Sequence, residues 1–220
     1  MTGASKAASP FEGVEVWFAD LAGGAPADAA VLSAGERARA AQLVGDERRR
    51  RYAGAHVLVR ELLGERLRVA PRDVAIEQDE RGKPFVAGRE VTFSLAHSAS
   101  LAAVAIAEGA EIGVDVERLR DIDVGLLAKG TCSEDERARL AEAAEPDRSA
   151  LFLRLWTAKE AVLKALGVGL TVPPASADVA SVLDTGRAAC LGTEVASLEP
   201  APGYAGALAR VLPAATRPGS

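Results

Sequence analysis

The sequence contains few of the residues that several common kinds of functional site require. Only two histidines and two cysteines occur among its 220 residues, and Cys132 and Cys190 do not have the spacing of paired metal ligands. These counts exclude a histidine-rich metal site, and they favour ordinary packing cysteines in a reduced, cytoplasmic protein. Aromatic residues make up 4% of the chain, too few for a surface that stacks successive nucleic-acid bases.

Charge and apolar patterning exclude further functional classes. The net charge of −5 argues against nucleic acid or an anionic membrane as a partner. No apolar run is long enough to span a bilayer, and the first residues lack the apolar segment of a secretory signal. The glycine-rich phosphate loops G-x-x-x-x-G-K-[ST] and G-x-G-x-x-G are absent, which argues against a generic nucleotide-binding protein.

Hydrophobic residues make up 49% of the chain, which is enough for a substantial core. The order of helix and strand patterns predicts a mixed α+β protein. Serines that can cap a first turn precede several expected helices, Gly167 ends the last long one, and period-two alternation indicates the strands. Expected helices are 34–44, begun by Ser33, 46–67, 124–130, 133–145, begun by Ser133, and 149–167, begun by Ser149. Expected strands are 14–21, 73–78, 90–98, 101–107, 112–119, 176–183, 188–198 and 204–212, while residues 1–12 are expected to be a loose tail.

The stretch "IGVDVERL" places two carboxylates on one side of a strand. Ile112, Val114 and Val116 alternate with Gly113, Asp115 and Glu117, so the apolar side chains share one face and the acids share the other. A half-buried strand with a charged outer face has the same pattern. The alternative is a hard divalent cation, which requires a third oxygen ligand from elsewhere in the chain.

A second charged pattern occurs in the helix "LWTAKEAVLKALG". Glu160 and Lys164 are four residues apart and therefore lie on one face, as in many surface salt bridges. Trp156 lies one turn earlier on the same side, which suggests that this face is at least partly covered. Lys83 in the turn "RGKPF" has the ordinary interpretation of a solvated turn lysine. His97 in "LAHSAS" has that of a hydrogen-bonded core histidine.

Taken together and in order, these stretches resemble the 4′-phosphopantetheinyl transferases, and within them the larger, monomeric type that activates carrier proteins of nonribosomal peptide and polyketide synthases. The resemblance extends from about Ser33 to Val211. Its most specific part is G-[IV]-D-[IV]-E followed about 40 residues later by W-x-x-K-E-A-x-x-K. The stretches that carry it are "RGKPF", "FSLAHSASLAAVAIA", "IGVDVERL" and "LWTAKEAVLKALGVGL".

The resemblance implies a fold and a reaction. The fold is α+β, with two similar halves packed as an intramolecular pseudo-dimer and the active site in the cleft between them. We place the division at 1–108 and 109–220. The implied reaction is Mg²⁺-dependent, with Mn²⁺ as the alternative ion. It moves phosphopantetheine from coenzyme A (CoA) to a serine of an apo carrier protein (peptidyl, polyketide acyl or fatty-acid acyl) and releases 3′,5′-ADP.

The resemblance also implies roles for individual residues. The metal ligands are Asp115, Glu117 and Glu160. The catalytic residues are Glu160, as the base for the carrier serine, and Lys164, at the leaving group. The CoA-binding residues are Arg39, Arg51, Lys83, Pro84, His97 and Lys164.

Three positions depart from the family pattern. Ala96 stands where relatives often have a serine that bonds CoA, so Ser98 is a candidate substitute. Glu36 stands where a phosphate-binding lysine can occur, and His56 where an arginine is common. Two alternatives stay open: a holo-synthase aimed mainly at the fatty-acid acyl carrier protein, and a catalytically silent module that binds CoA or a carrier protein.

Overall fold

The computed structural model describes residues 3–22, 28–88 and 91–213. It confirms the α+β class. The helices are α1 (Ala34–Gln42), α2 (Asp46–Leu67), α3 (Val124–Thr131), α4 (Glu134–Glu142), α5 (Glu145–Leu166) and α6 (Val182–Thr185). The strands are β1 (Ala4–Ala7), β2 (Val14–Asp20), β3 (Ile76–Gln78), β4 (Pro84–Val86), β5 (Thr92–Ser98), β6 (Leu101–Ala107), β7 (Ile112–Arg118), β8 (Arg187–Cys190), β9 (Thr193–Leu198) and β10 (Tyr204–Val211).

Two four-stranded antiparallel sheets organise the chain, in the orders β1-β2-β6-β5 and β7-β10-β9-β8. In each half, one strand (β2 or β7) is followed by helices, and the last strand of that half returns to pair with it, as β6 does with β2 and β10 with β7. This shared order supports the pseudo-dimer interpretation. The pseudo-dimer and the division at residue 108 remain predictions.

The core has three clusters arranged in layers. The inner cluster joins the two sheets and includes Val16, Ala105, Val114 and Leu208. On the outer face of the first sheet, α2 packs through residues such as Leu58. On the outer face of the second sheet, α5 packs in the same manner. The order helix, sheet, sheet, helix buries both faces of the central strands, and every residue of β6 is buried.

The helix caps were largely predictable from local sequence. Ser33 and Ser133 each form a complete capping box with the glutamate three residues later, Glu36 and Glu136. Gly167 ends α5 in the left-handed conformation, with φ of 64°, where a side chain would be strained. The predictions for Ser33, Ser133 and Gly167 are confirmed. They could be made from the sequence because capping depends on residues that are neighbours in it.

Three expectations were wrong. Helix α5 begins at Glu145, before Ser149, because Pro146 suits the first turn of a helix. Ser149 instead donates to and accepts from the backbone of Ile122. Residues 176–183 form turns and the short helix α6 rather than a strand. The expected N-terminal tail contains β1, which pairs with β2 at the edge of the first sheet.

Candidate functional site

Helix α5 lies directly against the backbone of β7. A Cβ atom built on Gly113 would come 2.1 Å from the Ala161 carbonyl oxygen and 2.4 Å from the Ala165 amide nitrogen. Real Cβ atoms do not approach other atoms this closely, so only glycine permits the crossing. The contact brings the face of α5 that carries Glu160 and Lys164 beside the polar face of β7.

Asp115 is the most buried member of the site. It is 7% exposed, and its Oδ1 accepts a hydrogen bond of 2.6 Å from Lys164 Nζ, which also donates to the Val114 carbonyl. Burial raises the pKa of Asp115 to about 6, although the ammonium of Lys164 lowers it, and the charges of Glu160 and Glu117 add to the rise. Its Oδ2 is buried without a hydrogen-bond partner among the described residues.

Glu160 and Glu117 complete a group of three interacting carboxylates. Partial burial raises the pKa of Glu160, Lys164 opposes the rise, and the charge of Glu117 adds to it. Glu117 Oε2 accepts hydrogen bonds from Ser98 Oγ at 2.7 Å and from Arg120 at 3.1 Å. The predicted alternation of side chains on β7 is confirmed. The interpretation of its acidic face as solvent-exposed is wrong for Asp115, because α5 covers that side of the strand.

Strand β5 holds β7 from its other edge through two serine hydroxyls. Ser94 Oγ accepts from the Val114 amide at 3.0 Å, and Ser98 Oγ accepts from the Arg118 amide at 3.1 Å. Ser98, a candidate CoA contact in the sequence, thus orients Glu117. Ala96 between them is buried in the inner cluster. No sequence signal marked Ser94 or these contacts with β7, because each serine's backbone partner lies 20 residues further along the chain.

The donor set suits a hard divalent cation. The charges of Glu160 and Glu117 raise the pKa of Asp115, the charge of Glu117 raises the pKa of Glu160, and Asp115 Oδ2 is buried without a partner among the described residues. A cation such as Mg²⁺ would stabilise these charges. Across 3–22, 28–88 and 91–213, no three His, Cys, Asp or Glu residues already stand close enough together to hold a metal ion. One Asp115 oxygen is instead engaged by Lys164.

Two cavities with shared lining residues lie near this group of carboxylates, and Lys164, the partner of Asp115, lines one of them. The smaller, of about 230 Å³, lies between the turn before β4 and the end of α5, and Lys83, Pro84 and Lys164 line it. The larger, of about 760 Å³, is lined by Arg39 and also by Pro84. Phe93 and Leu95 are shared walls. Four of the six residues predicted to bind CoA therefore line one or other of two cavities that share Pro84, Phe93 and Leu95.

The other two, His97 and Arg51, line neither cavity. His97 is exposed at the end of β5. Its pKa is lowered by partial desolvation and by repulsion from His56, Lys164 and Arg51, against the attraction of Glu117. These interactions show that His97 lies within electrostatic reach of Glu117 and Lys164 and of Arg51 in α2. Arg51 pairs with Glu47 at 2.5 Å, and its Nε is buried without a partner among the described residues.

Glu36 and His56, two of the departures from the family pattern, contact each other. Glu36 accepts from the buried Arg60 at 2.7 Å and lies 3.3 Å from His56 Nδ1. Hydrogen bonds from His56, Arg60 and the Ser33 amide outweigh desolvation and lower the pKa of Glu36 to about 2. His56 also stacks on Tyr52. Glu36 therefore joins α1 to α2 while lining the larger cavity.

A fully buried ion pair supports α5 from behind the site. Lys159 and Glu136 are 1% and 0% exposed at their side chains, 2.7 Å apart. Lys159 also donates to the carbonyls of Pro174 and Ala177, and Glu136 accepts from the Val179 amide. The sequence predicted the cap at Ser133 but not the ion pair between Glu136 and Lys159. The available signal was the position of Lys159 next to Glu160 in the helix. Adjacent helical residues face different sides, so Lys159 cannot share the face that carries Glu160 and Lys164.

No described helix combines the length and apolar character needed to cross a membrane. A family model described as "4'-phosphopantetheinyl transferase superfamily" matches residues 111–201, a range that contains Asp115, Glu117, Glu160 and Lys164.

Named relatives extend this likeness. The chain is 35% identical to "4'-phosphopantetheinyl transferase HetI" of Nostoc sp. over 181 residues, which cover 80% of this chain and 72% of the relative. It is 32% identical to "4'-phosphopantetheinyl transferase gsp" of Aneurinibacillus migulanus, covering 53% of this chain and 48% of that protein. It is 41% identical to "4'-phosphopantetheinyl transferase AcpT" of Salmonella typhi over 91 residues, covering 40% of this chain and 47% of that protein.

Proposed function

The chain belongs to the 4′-phosphopantetheinyl transferase superfamily, and from this premise we propose that it transfers 4′-phosphopantetheine from CoA to a serine of an apo carrier protein. The acceptors are peptidyl and polyketide acyl carrier proteins, and the reaction requires Mg²⁺ or Mn²⁺. The observation that carries the proposal is the pairing of Lys164 with Asp115 beside Glu160 and Glu117, next to a cavity with a lysine on each side.

The reaction needs a base at the serine and positive charge at the leaving group. The serine oxygen forms a bond to the β-phosphorus of CoA, and the bond from that phosphorus to the bridging oxygen of 3′,5′-ADP breaks. Glu160 takes the serine proton. Lys164 stabilises the negative charge that develops on the departing phosphate. Asp115, Glu117 and Glu160 would hold the divalent cation, which when bound would neutralise charge on the pyrophosphate.

CoA occupies the two cavities in this proposal. Lys164 lies where the pyrophosphate would meet the carboxylates, with Lys83 and Pro84 as the facing wall. Arg39, which lines the larger cavity, and Arg51, in the first part of α2, supply positive charge for the remaining phosphate, and His97 is a further hydrogen-bonding contact for CoA.

The protein acts as a monomer in the cytoplasm in this proposal. Both walls of the smaller cavity come from one chain, since Lys83 belongs to the first half and Lys164 to the second. Two free cysteines are typical of a reducing compartment.

The test is the intact mass of apo carrier proteins after incubation with this protein, CoA and Mg²⁺. A gain of about 340 Da, the mass of one phosphopantetheine group, that is lost when EDTA is added would establish transfer and its metal requirement. Peptidyl, polyketide and fatty-acid carriers are compared at equal concentration, and Lys164→Met is the control for the enzyme's own contribution. No gain on any carrier, with CoA still bound, would refute transfer and indicate a silent binding module.

A further inference from the structure

The side chain of Lys83 ends at two groups of the second half of the chain rather than in open solvent. Its Nζ lies 2.5 Å from Glu111 Oε2 and donates to the carbonyl of Ala165 at 2.9 Å. The Lys83 side chain is 18% exposed. Its charge is thus already compensated by a carboxylate just before β7 and by the end of α5.

The bond to Ala165 completes the end of α5. The last carbonyls of a helix have no partner within it, and the end carries partial negative charge that favours a cation. The amides of Gly167 and Val168 bond the carbonyls of the two residues before Ala165. The Lys83 ammonium donates to the Ala165 carbonyl, so a residue distant in sequence satisfies one of the last carbonyls of α5.

The surroundings of Lys83 fit this contact closely. A Cβ on Gly167 would lie 3.0 Å from Lys83 Cδ, so the glycine leaves space for the lysine stem. The Lys83 amide donates to Asp79 Oδ1 at 2.9 Å, which fixes the turn that projects the side chain. The contact is therefore built from both sides.

Lys164 directly precedes the residue that Lys83 caps. We propose that Lys83 and Glu111 are positioning residues for Lys164: the Lys83 ammonium, held by Glu111, pins the final turn of α5 so that Lys164 stays against Asp115. The inference rests on the proposed transfer function. It assigns the Lys83 ammonium to α5, and leaves its stem and Pro84 to form the wall of the CoA cavity.

A direct contact between the Lys83 ammonium and a CoA phosphate predicts the opposite change in kcat/KM for Glu111→Gln. If Lys83 binds a CoA phosphate, Glu111 competes with that phosphate, and Glu111→Gln should lower the KM for CoA. If Lys83 pins α5, Glu111→Gln loosens the lysine and lowers kcat. We expect kcat to fall about threefold in Glu111→Gln and about tenfold in Lys83→Met, since small displacements of a catalytic group reduce rates strongly.

A double-mutant cycle identifies the residue through which Lys83 acts. In a Lys164→Met background, Lys83→Met should change kcat less than about twofold, because the positioned group is already absent. The matched control is Lys6→Met, which breaks another lysine–glutamate pair, 2.8 Å from Glu15, far along the chain from α5; its kcat should equal that of the parent. The inference would be overturned if the kcat losses of Lys83→Met and Lys164→Met multiplied in the double variant. A lower KM for CoA in Glu111→Gln with unchanged kcat would also overturn it.

Amide hydrogen exchange of residues 163–168 provides a readout that does not depend on transfer. Exchange in the free protein should be at least about fivefold faster in Lys83→Met and Glu111→Gln than in the parent and in Lys6→Met. Unchanged exchange would overturn the inference even if transfer is normal. If the parent protein modifies no carrier, the proposed function is refuted, and faster exchange in the two variants would still support the role of Lys83 and Glu111 in holding α5.

Discussion

Replacing Gly113 by alanine would place a methyl group where the backbone of α5 already lies. The new Cβ would stand 2.1 Å from the Ala161 carbonyl oxygen and 2.9 Å from Lys164 Cβ, whereas ordinary contacts begin near 3.4 Å. Neither neighbour can rotate away, because the first is backbone and the second is attached directly to it. The helix must therefore move from β7 by about 1.3 Å, the difference between 3.4 Å and 2.1 Å.

The displacement has two measurable costs. Overpacking of this kind costs about 1–3 kcal/mol of unfolding free energy, which for a chain of this size lowers the melting temperature by roughly 2–12 °C. The hydrogen bond of 2.6 Å between Lys164 and Asp115 would also lengthen. A misplacement of about 1 Å can reduce turnover on the order of 10²-fold, so we expect that loss in kcat/KM for carrier modification.

The assay pairs thermal unfolding with the transfer rate, and Gly130→Ala is the matched control. A Cβ on Gly130 in α3 meets no atom within 4 Å, so alanine there should raise stability by about 0.5–1 kcal/mol without changing transfer. Gly113→Ala protein with a melting temperature within about 1 °C of the parent and kcat/KM within about twofold would refute the reasoning, because these differences are below the expected costs.

Other perturbations test single groups. Lys164→Met should lower kcat by about 10²–10³-fold with little effect on folding; a loss below tenfold would reduce the residue to a structural partner. Asp115→Asn should abolish transfer at all Mg²⁺ concentrations yet fold normally by circular dichroism; near-normal turnover would contradict the metal assignment. Glu36 has a pKa lowered from 4.5 to about 2, so its contribution to stability is complete above pH 4.5 and is lost as the pH falls towards 2. Urea midpoints between these pH values should therefore fall less steeply in Glu36→Gln than in the parent, and parallel curves would rule out this source of acid sensitivity. Lys159→Met should cost about 3–5 kcal/mol in urea unfolding, because it leaves a buried carboxylate without its charge partner; a cost below about 1 kcal/mol would show that water reaches the site.

Local sequence rules predicted the elements whose causes are local. The capping boxes at Ser33 and Ser133, the stop at Gly167 and the two faces of β7 all depend on spacings of two to four residues. The misassigned stretch at 176–183 alternates like a strand, but Lys159 binds the carbonyls of Pro174 and Ala177 and holds the chain in turns. Tertiary contacts of this kind override a short apolar pattern.

The candidate site divides in the same way. Asp115, Glu117, Glu160 and Lys164 were found from two motifs, because motif spacing determines which side chains share a face. Their assembly depends on contacts between segments distant in sequence, such as the crossing of α5 at Gly113 and the bond from Ser98 to Glu117. A glycine in a strand and a serine in a hairpin have many ordinary explanations, so neither revealed its partner.

The pairing of β7 with β10 determines when the site can form during synthesis. Strand β7, which carries Asp115 and Glu117, is an edge strand whose ladder partner is Tyr204–Val211, near the end of the described chain. A ribosome must therefore release the residues up to about Val211 before this ladder can close, and pairing over so long a separation is slow to form. A nascent chain stalled before residue 204 has every motif residue of the site but lacks the strand that supports two of them.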